Sequence, residues 1–110
     1  MEIQATKERN AIVISLKGSL NAVTSPEFAA SLSDWISKGE NNFLVNVALL
    51  DYISSAGLGC LLTLYKKLKP TQGKVYLAGL HGTVEQVFKI SGVLSFFKVF
   101  DSTEAALEEF

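Results

Sequence analysis

The 110-residue chain is 48% hydrophobic and 19% charged with a formal net charge of −1, which suits one globular domain over residues 1–110, with a core that needs no metal or disulfide. Its charges are spread along the chain, leaving no basic face or tail to drive direct binding to nucleic acid or an anionic membrane. One cysteine, Cys60, excludes an internal disulfide, and one histidine, His81, excludes a histidine-built metal cluster. Residues 1–8 hold no apolar signal core and no apolar run approaches the roughly 18 residues that span a bilayer. The expectation is therefore a cytoplasmic protein with no membrane insertion, metal or cofactor.

Residues 3–9 alternate weakly and read as an edge strand, while residues 11–18 are richer in β-branched side chains and read as a better-buried one. Asn10 is the expected turn between them. A helix follows: Thr24 and Glu27 have capping-box spacing, Pro26 suits the first turn, and Phe28, Leu32, Trp35 and Ile36 form one apolar stripe ending at Gly39. Residues 43–47 are almost continuously apolar, as in a strand covered on both faces.

From Ala56 to Lys69, Leu58, Leu61, Leu62, Tyr65 and Leu68 mark a second amphipathic helix. Lys66, Lys67 and Lys69 suit its C-terminal end, and Pro70 with Gly73 ends it. Residues 74–78 are another strand. Thr83 and Gln86 have capping-box spacing ahead of a short third helix, residues 95–100 read as a last strand, and Asp101-Ser102 caps a C-terminal helix with Ala105, Ala106 and Leu107. The fold class is α/β, a small mixed sheet of four to five strands flanked by about four helices. Successive βαβ units require right-handed crossovers and a parallel portion of sheet, with the opening hairpin as an antiparallel edge.

In such sheets the loops leaving the carboxyl ends of parallel strands share one rim, where ligands and partners bind. Three loops are expected there: residues 18–24, 51–55 and 79–83. The middle one leads into Ser54-Ser55-Ala56-Gly57-Leu58-Gly59. This stretch lacks the G-x-S-x-G of a nucleophile elbow. His81 and Asp51 complete a triad with Ser55 only on paper, because a domain this small has little wall for a substrate pocket. Gly57 and Gly59 lack the third glycine of a dinucleotide fingerprint and the lysine of a P-loop. Inside a first helical turn each costs roughly 1 kcal/mol relative to alanine, so at least one of them is expected to permit close approach of the helix to the sheet or a partner.

One serine suffices to cap the helix, at about 1 kcal/mol. Ser54 takes that place, leaving Ser55 in the first turn with its hydroxyl free. A phosphate there would meet the free amides and positive dipole end of the helix, so the fold would tolerate it and its effect would fall on whatever docks against the rim. Cys60 reads as a small buried thiol and Trp35 and Phe28 as core. Phe96, Phe97 and Phe100 are dense enough to leave one exposed at a partner or homodimer surface.

At Leu50-x-Tyr52-Ile53-Ser54-Ser55-Ala56-Gly57-Leu58-Gly59 the chain resembles the STAS family, and within it the bacterial anti-sigma factor antagonists. Gly18-Ser19-Leu20-Asn21 is similar to the family's G-x-L-D segment and Ile90-Ser91-Gly92-Val93 to the segment after the third helix. The resemblance implies a docking protein and not an enzyme, with Ser55 at the phosphoacceptor position. Asn21, Thr24, Asp51, Tyr52, Ser54, Ser55, Ala56, Gly57 and Gly59 are then expected at the partner surface. It implies two partners: an anti-sigma factor that is also an ATP-binding serine kinase of histidine-kinase-like fold, sequestered by the unphosphorylated form, and a serine phosphatase that resets the switch. Many members carry aspartate where this chain has Ser54 and Asn21, so this rim is less acidic. The alternative is a constitutive STAS scaffold in a transporter or signalling complex, with Ser55 never phosphorylated.

Overall fold

The computed structural model describes residues 1–110. Five strands, β1 (Glu2–Glu8), β2 (Ala11–Leu20), β3 (Asn42–Ile53), β4 (Lys74–Ala78) and β5 (Lys98–Phe100), form one sheet in sequential order. β1 and β2 are antiparallel and the remaining neighbours parallel, so the sheet is mixed. The hairpin pairs Glu8 with Ala11 and turns through Arg9 and Asn10, Arg9 taking a left-handed φ of 56°. Four helices accompany the strands: α1 (Ser25–Ser37), α2 (Ser55–Leu68), α3 (Gly82–Ser91) and α4 (Thr103–Leu107).

One sheet face carries the main core. Ile12, Ile14, Leu16, Phe43, Val45, Val47 and Leu77 pack there against Phe28 and Leu32 of α1, Leu58, Leu61 and Leu64 of α2, and Val84 and Phe88 of α3. On the other face α4 lays Ala106 and Leu107 over Ala11, Val13, Leu44 and Ala78, with Tyr76, Phe100 and Phe110 at its margin. Phe28 is completely buried, whereas Trp35 is only partly buried against the core. No polar or charged residue is fully buried. The interior is thus held by apolar packing, each such side chain worth about 1.5–3 kcal/mol, and polar chemistry is left to the surface. No helix is long and apolar enough to cross a membrane.

Four local expectations change. β3 does not stop at Val47 but continues to Ile53, because it stays paired with β2 as far as Leu20 through two register shifts. Beyond Val47 the buried residues are Leu50 and Ile53, every third position, a period that reads as neither strand nor amphipathic helix. The last strand is confined to Lys98–Phe100, and Val93–Phe96 is a 3₁₀ turn that exposes Phe96 and buries Phe97. α3 begins at Gly82 with His81 in the cap position, so Thr83 is not a cap. At α1, Thr24 holds the cap position without a side-chain cap bond. Ser102 does cap α4, accepting a hydrogen bond from the Ala105 amide at 3.2 Å.

Candidate functional site

β2 ends at Leu20 and β3 at Ile53, adjacent and parallel, so the loops after them emerge side by side. The Ser54 amide donates to the Leu20 carbonyl at 2.9 Å, and the Ser54 carbonyl accepts the Leu58 amide at 3.0 Å to open α2. From the third loop, Thr83 Oγ1 donates to the Asp51 carbonyl at 3.3 Å. These bonds join the loops at residues 18–24, 51–55 and 79–83 into one rim.

Ser54 is the N-cap residue by position, with extended backbone, yet its hydroxyl caps nothing. The oxygen is closed off from solvent and has no hydrogen-bond partner. The expected side-chain cap is therefore corrected: backbone bonds on both sides fix the helix start, and the side chain adds none. Ser55, the first residue of α2, is exposed. It belongs to the first turn, whose amides have no intrahelical partner.

The two glycines part company. Gly57 is buried, and a Cβ there would lie 2.8 Å from Ile53 Cγ1 and 2.9 Å from Leu20 Cγ, closer than real contacts allow. Gly57 therefore lets α2 sit on the ends of β2 and β3. Gly59 is exposed, and a Cβ there would meet nothing within 4 Å.

The loop at residues 21–24 is held from within. Asn21 Oδ1 accepts the Val23 amide at 2.9 Å and the Thr24 amide at 3.1 Å. Thr24 Oγ1 donates to the Ser19 carbonyl at 2.8 Å and accepts the Asn21 amide at 2.9 Å. The Ser25 amide donates to the Asn21 carbonyl at 2.8 Å, so a helical turn opens at Asn21 before α1 itself. Asn21, not Thr24, does the capping. Both are part-buried and brace the loop.

Of the remaining expected contacts, Asp51, Tyr52 and Ala56 are exposed on the rim. Ser55, Asp51 and His81 are all exposed, and no hydrogen bond joins their side chains. Exposed apolar residues not singled out by the sequence include Val23, at 86% exposure, and Leu49, at 62%. The available signal for Val23 was a valine in a polar loop, off the stripe of the following helix. Ala22, Ser25, Pro26, Ala29, Ala56, Cys60 and Thr63 line an open concavity of about 320 Å³ between the starts of α1 and α2, next to Ser55. Burial pushes the Cys60 thiol above its ordinary pKa, with Lys67 opposing the shift, so the thiol is held protonated. The three rim loops contain no lysine or arginine, and Asp51 is their one carboxylate.

Three comparisons bear on this arrangement. The STAS domain family model matches residues 2–106. BtrV of Bordetella bronchiseptica strain RB50, assigned as an anti-sigma factor antagonist, is 37% identical over 110 residues that cover all of this chain and 95% of that protein. Among solved structures, a Thermotoga maritima protein with the same assignment superposes with a TM-score of 0.92 at 20% identity, over 97% of this chain and 92% of that one. The anti-sigma factor antagonist SpoIIAA, solved in unphosphorylated and phosphorylated forms, gives a TM-score of 0.77 at 24% identity with each, over 98% of this chain. At those identities the two structural likenesses speak for the fold.

Proposed function

Because the chain belongs to the STAS domain family, we propose that it is an anti-sigma factor antagonist whose rim binds an anti-sigma factor while Ser55 is unmodified and releases it when Ser55 is phosphorylated. The observation that carries this reading is the position of Ser55: exposed, first in α2, on a rim built from three cross-bonded loops. The full-length relationship to BtrV supports the antagonist role, and the existence of a phosphorylated SpoIIAA supports a modification-gated one.

The partner is an anti-sigma factor that is itself an ATP-binding serine kinase, and a serine phosphatase restores the binding form. A phosphate adds a charge of about −1.5 to −2. No lysine or arginine lies in the rim loops to pair with it, so it would rest on the helix amides and project toward the partner. Lost apolar fit and repulsion of a partner carboxylate together would weaken binding by about 2–4 kcal/mol, roughly 30- to 1000-fold. The chain acts by docking and needs no cofactor.

Intact-mass measurement after incubation with the ATP-binding anti-sigma factor of the source organism and ATP tests the reading. A gain of one phosphate in wild type and none in Ser55→Ala is expected, with Ser55→Asp failing to bind the kinase. Modification persisting in Ser55→Ala moves the site. Tight binding without any modification returns the chain to a constitutive scaffold.

A further inference from the structure

We infer that Val23 is the apolar anchor of the docking surface, inserted into an uncharged pocket on the partner protein, and that Asn21 is the residue that positions it. The inference rests on the reading of the rim as the partner surface. Val23 is the most exposed of the large apolar residues, at 86%, on a turn with little freedom. The Asn21 side chain accepts the amides of Val23 and Thr24, and Thr24 Oγ1 ties the same turn to Ser19. An isolated exposed valine on a loose loop needs no explanation. A valine held rigidly in water differs, because its ordering entropy is already spent before a partner arrives and its burial then counts toward affinity.

The surroundings define the complement. Ala22, beside Val23, also lines the concavity that Pro26, Ala29 and Ala56 enclose, so apolar surface runs from the pinned turn to the residue after Ser55. None of the three rim loops carries a lysine or arginine, and Asp51, on the middle loop, is their one carboxylate. The partner that fits is a protein surface with an apolar pocket for Val23, placed so that the same contact lies over Ser55. Phosphate on Ser55 and apolar insertion of Val23 would then oppose each other within one interface.

The test measures binding of the purified ATP-binding anti-sigma factor to the unmodified full chain by calorimetry, alongside sedimentation of the chain alone. Val23→Ser is expected to weaken binding roughly ten- to hundredfold with an unchanged melting temperature. Asn21→Ala is expected to weaken it about three- to tenfold and to speed amide exchange at Val23 and Thr24, with Asn21→Asp restoring both because a carboxylate accepts the same two amides. Affinity unchanged in Val23→Ser overturns the anchor and leaves the rim reading standing. If unmodified wild type does not bind at all, the rim reading fails and the anchor with it. A self-associating wild type made monomeric by Val23→Ser would identify a second copy as the occupant and overturn the assignment to the partner.

Discussion

The Ser54 amide reaches the Leu20 carbonyl at 2.9 Å, while the Ser54 hydroxyl, in the same residue, is closed off and bonded to nothing. One backbone bond aligns the end of β3 with the end of β2 and starts α2 where Ser55 is exposed. The side chain suggested by sequence for that task contributes none of it.

Ser54→Ala should consequently cost nothing and can raise stability by up to about 1 kcal/mol, since it removes a buried hydroxyl without a partner. Ser102→Ala should lower stability by about 1 kcal/mol, because Ser102 does accept the Ala105 amide. Urea denaturation of both variants separates them. A loss at Ser54 as large as that at Ser102 would reveal a bond the structure lacks.

Gly57→Ala should destabilise by about 1–3 kcal/mol, because its Cβ would be driven against Ile53 and Leu20. Gly59→Ala should stabilise by about 0.5–1 kcal/mol, since the site is open and α2 gains helix propensity. Equal effects from the two substitutions, read by thermal melting, would contradict the close approach of α2 to the sheet.

Placing an acid at Ser55 should abolish partner binding without harming the fold. At an exposed first helical position a negative charge meets the positive end of the α2 dipole, worth about 0.3–1 kcal/mol of added stability. Denaturation of Ser55→Asp is the check. A marked fall in stability would mean that the variant loses its partner by unfolding.

The C-terminal segment should be loosened by acid. Lys98 and Glu109 pair at 2.8 Å. The hydrogen bond from Lys98 holds the Glu109 carboxyl below its ordinary pKa, and the bond to Glu109 holds Lys98 above its own. The carboxylate contribution is present above the ordinary glutamate range and lost as pH falls through the depressed folded value. The ammonium contribution is present below the ordinary lysine range and lost as pH rises past the raised one. Wild type should melt above Glu109→Gln at neutral pH, and the two should converge in acid. A gap that persists at low pH would assign the effect to packing of Tyr76 against Phe110, whose ring centroids lie 4.5 Å apart.

Cys60 should alkylate more slowly in the folded chain than a free thiol does, since burial raises its pKa and reduces the thiolate fraction. Iodoacetamide labelling at neutral pH, followed by mass, should accelerate on unfolding. Fast labelling of the native chain would show the thiol to be open.

The order of elements, the mixed sheet and the meeting of three loops at one rim were determined by the sequence itself, because apolar period, Gly and Pro stops and the handedness of βαβ units are local or topological constraints. Exposure of Ser55 followed from the same reading, as did a close approach at one of the two glycines, while only the structure assigns it to Gly57. The extent of β3 did not, because two register shifts arise from pairing with β2 and leave a three-residue period that no single-strand pattern contains. Nor did the roles of Asn21, Thr24 and Ser54. Each residue type can cap a turn or helix, and which one does depends on where the backbone brings the free amides. Only the tertiary structure settled that Asn21 braces the turn, that Ser54 is orphaned, and that Val23 stands in solvent, because each is a relation between loops that meet solely through the packing of β2 beside β3.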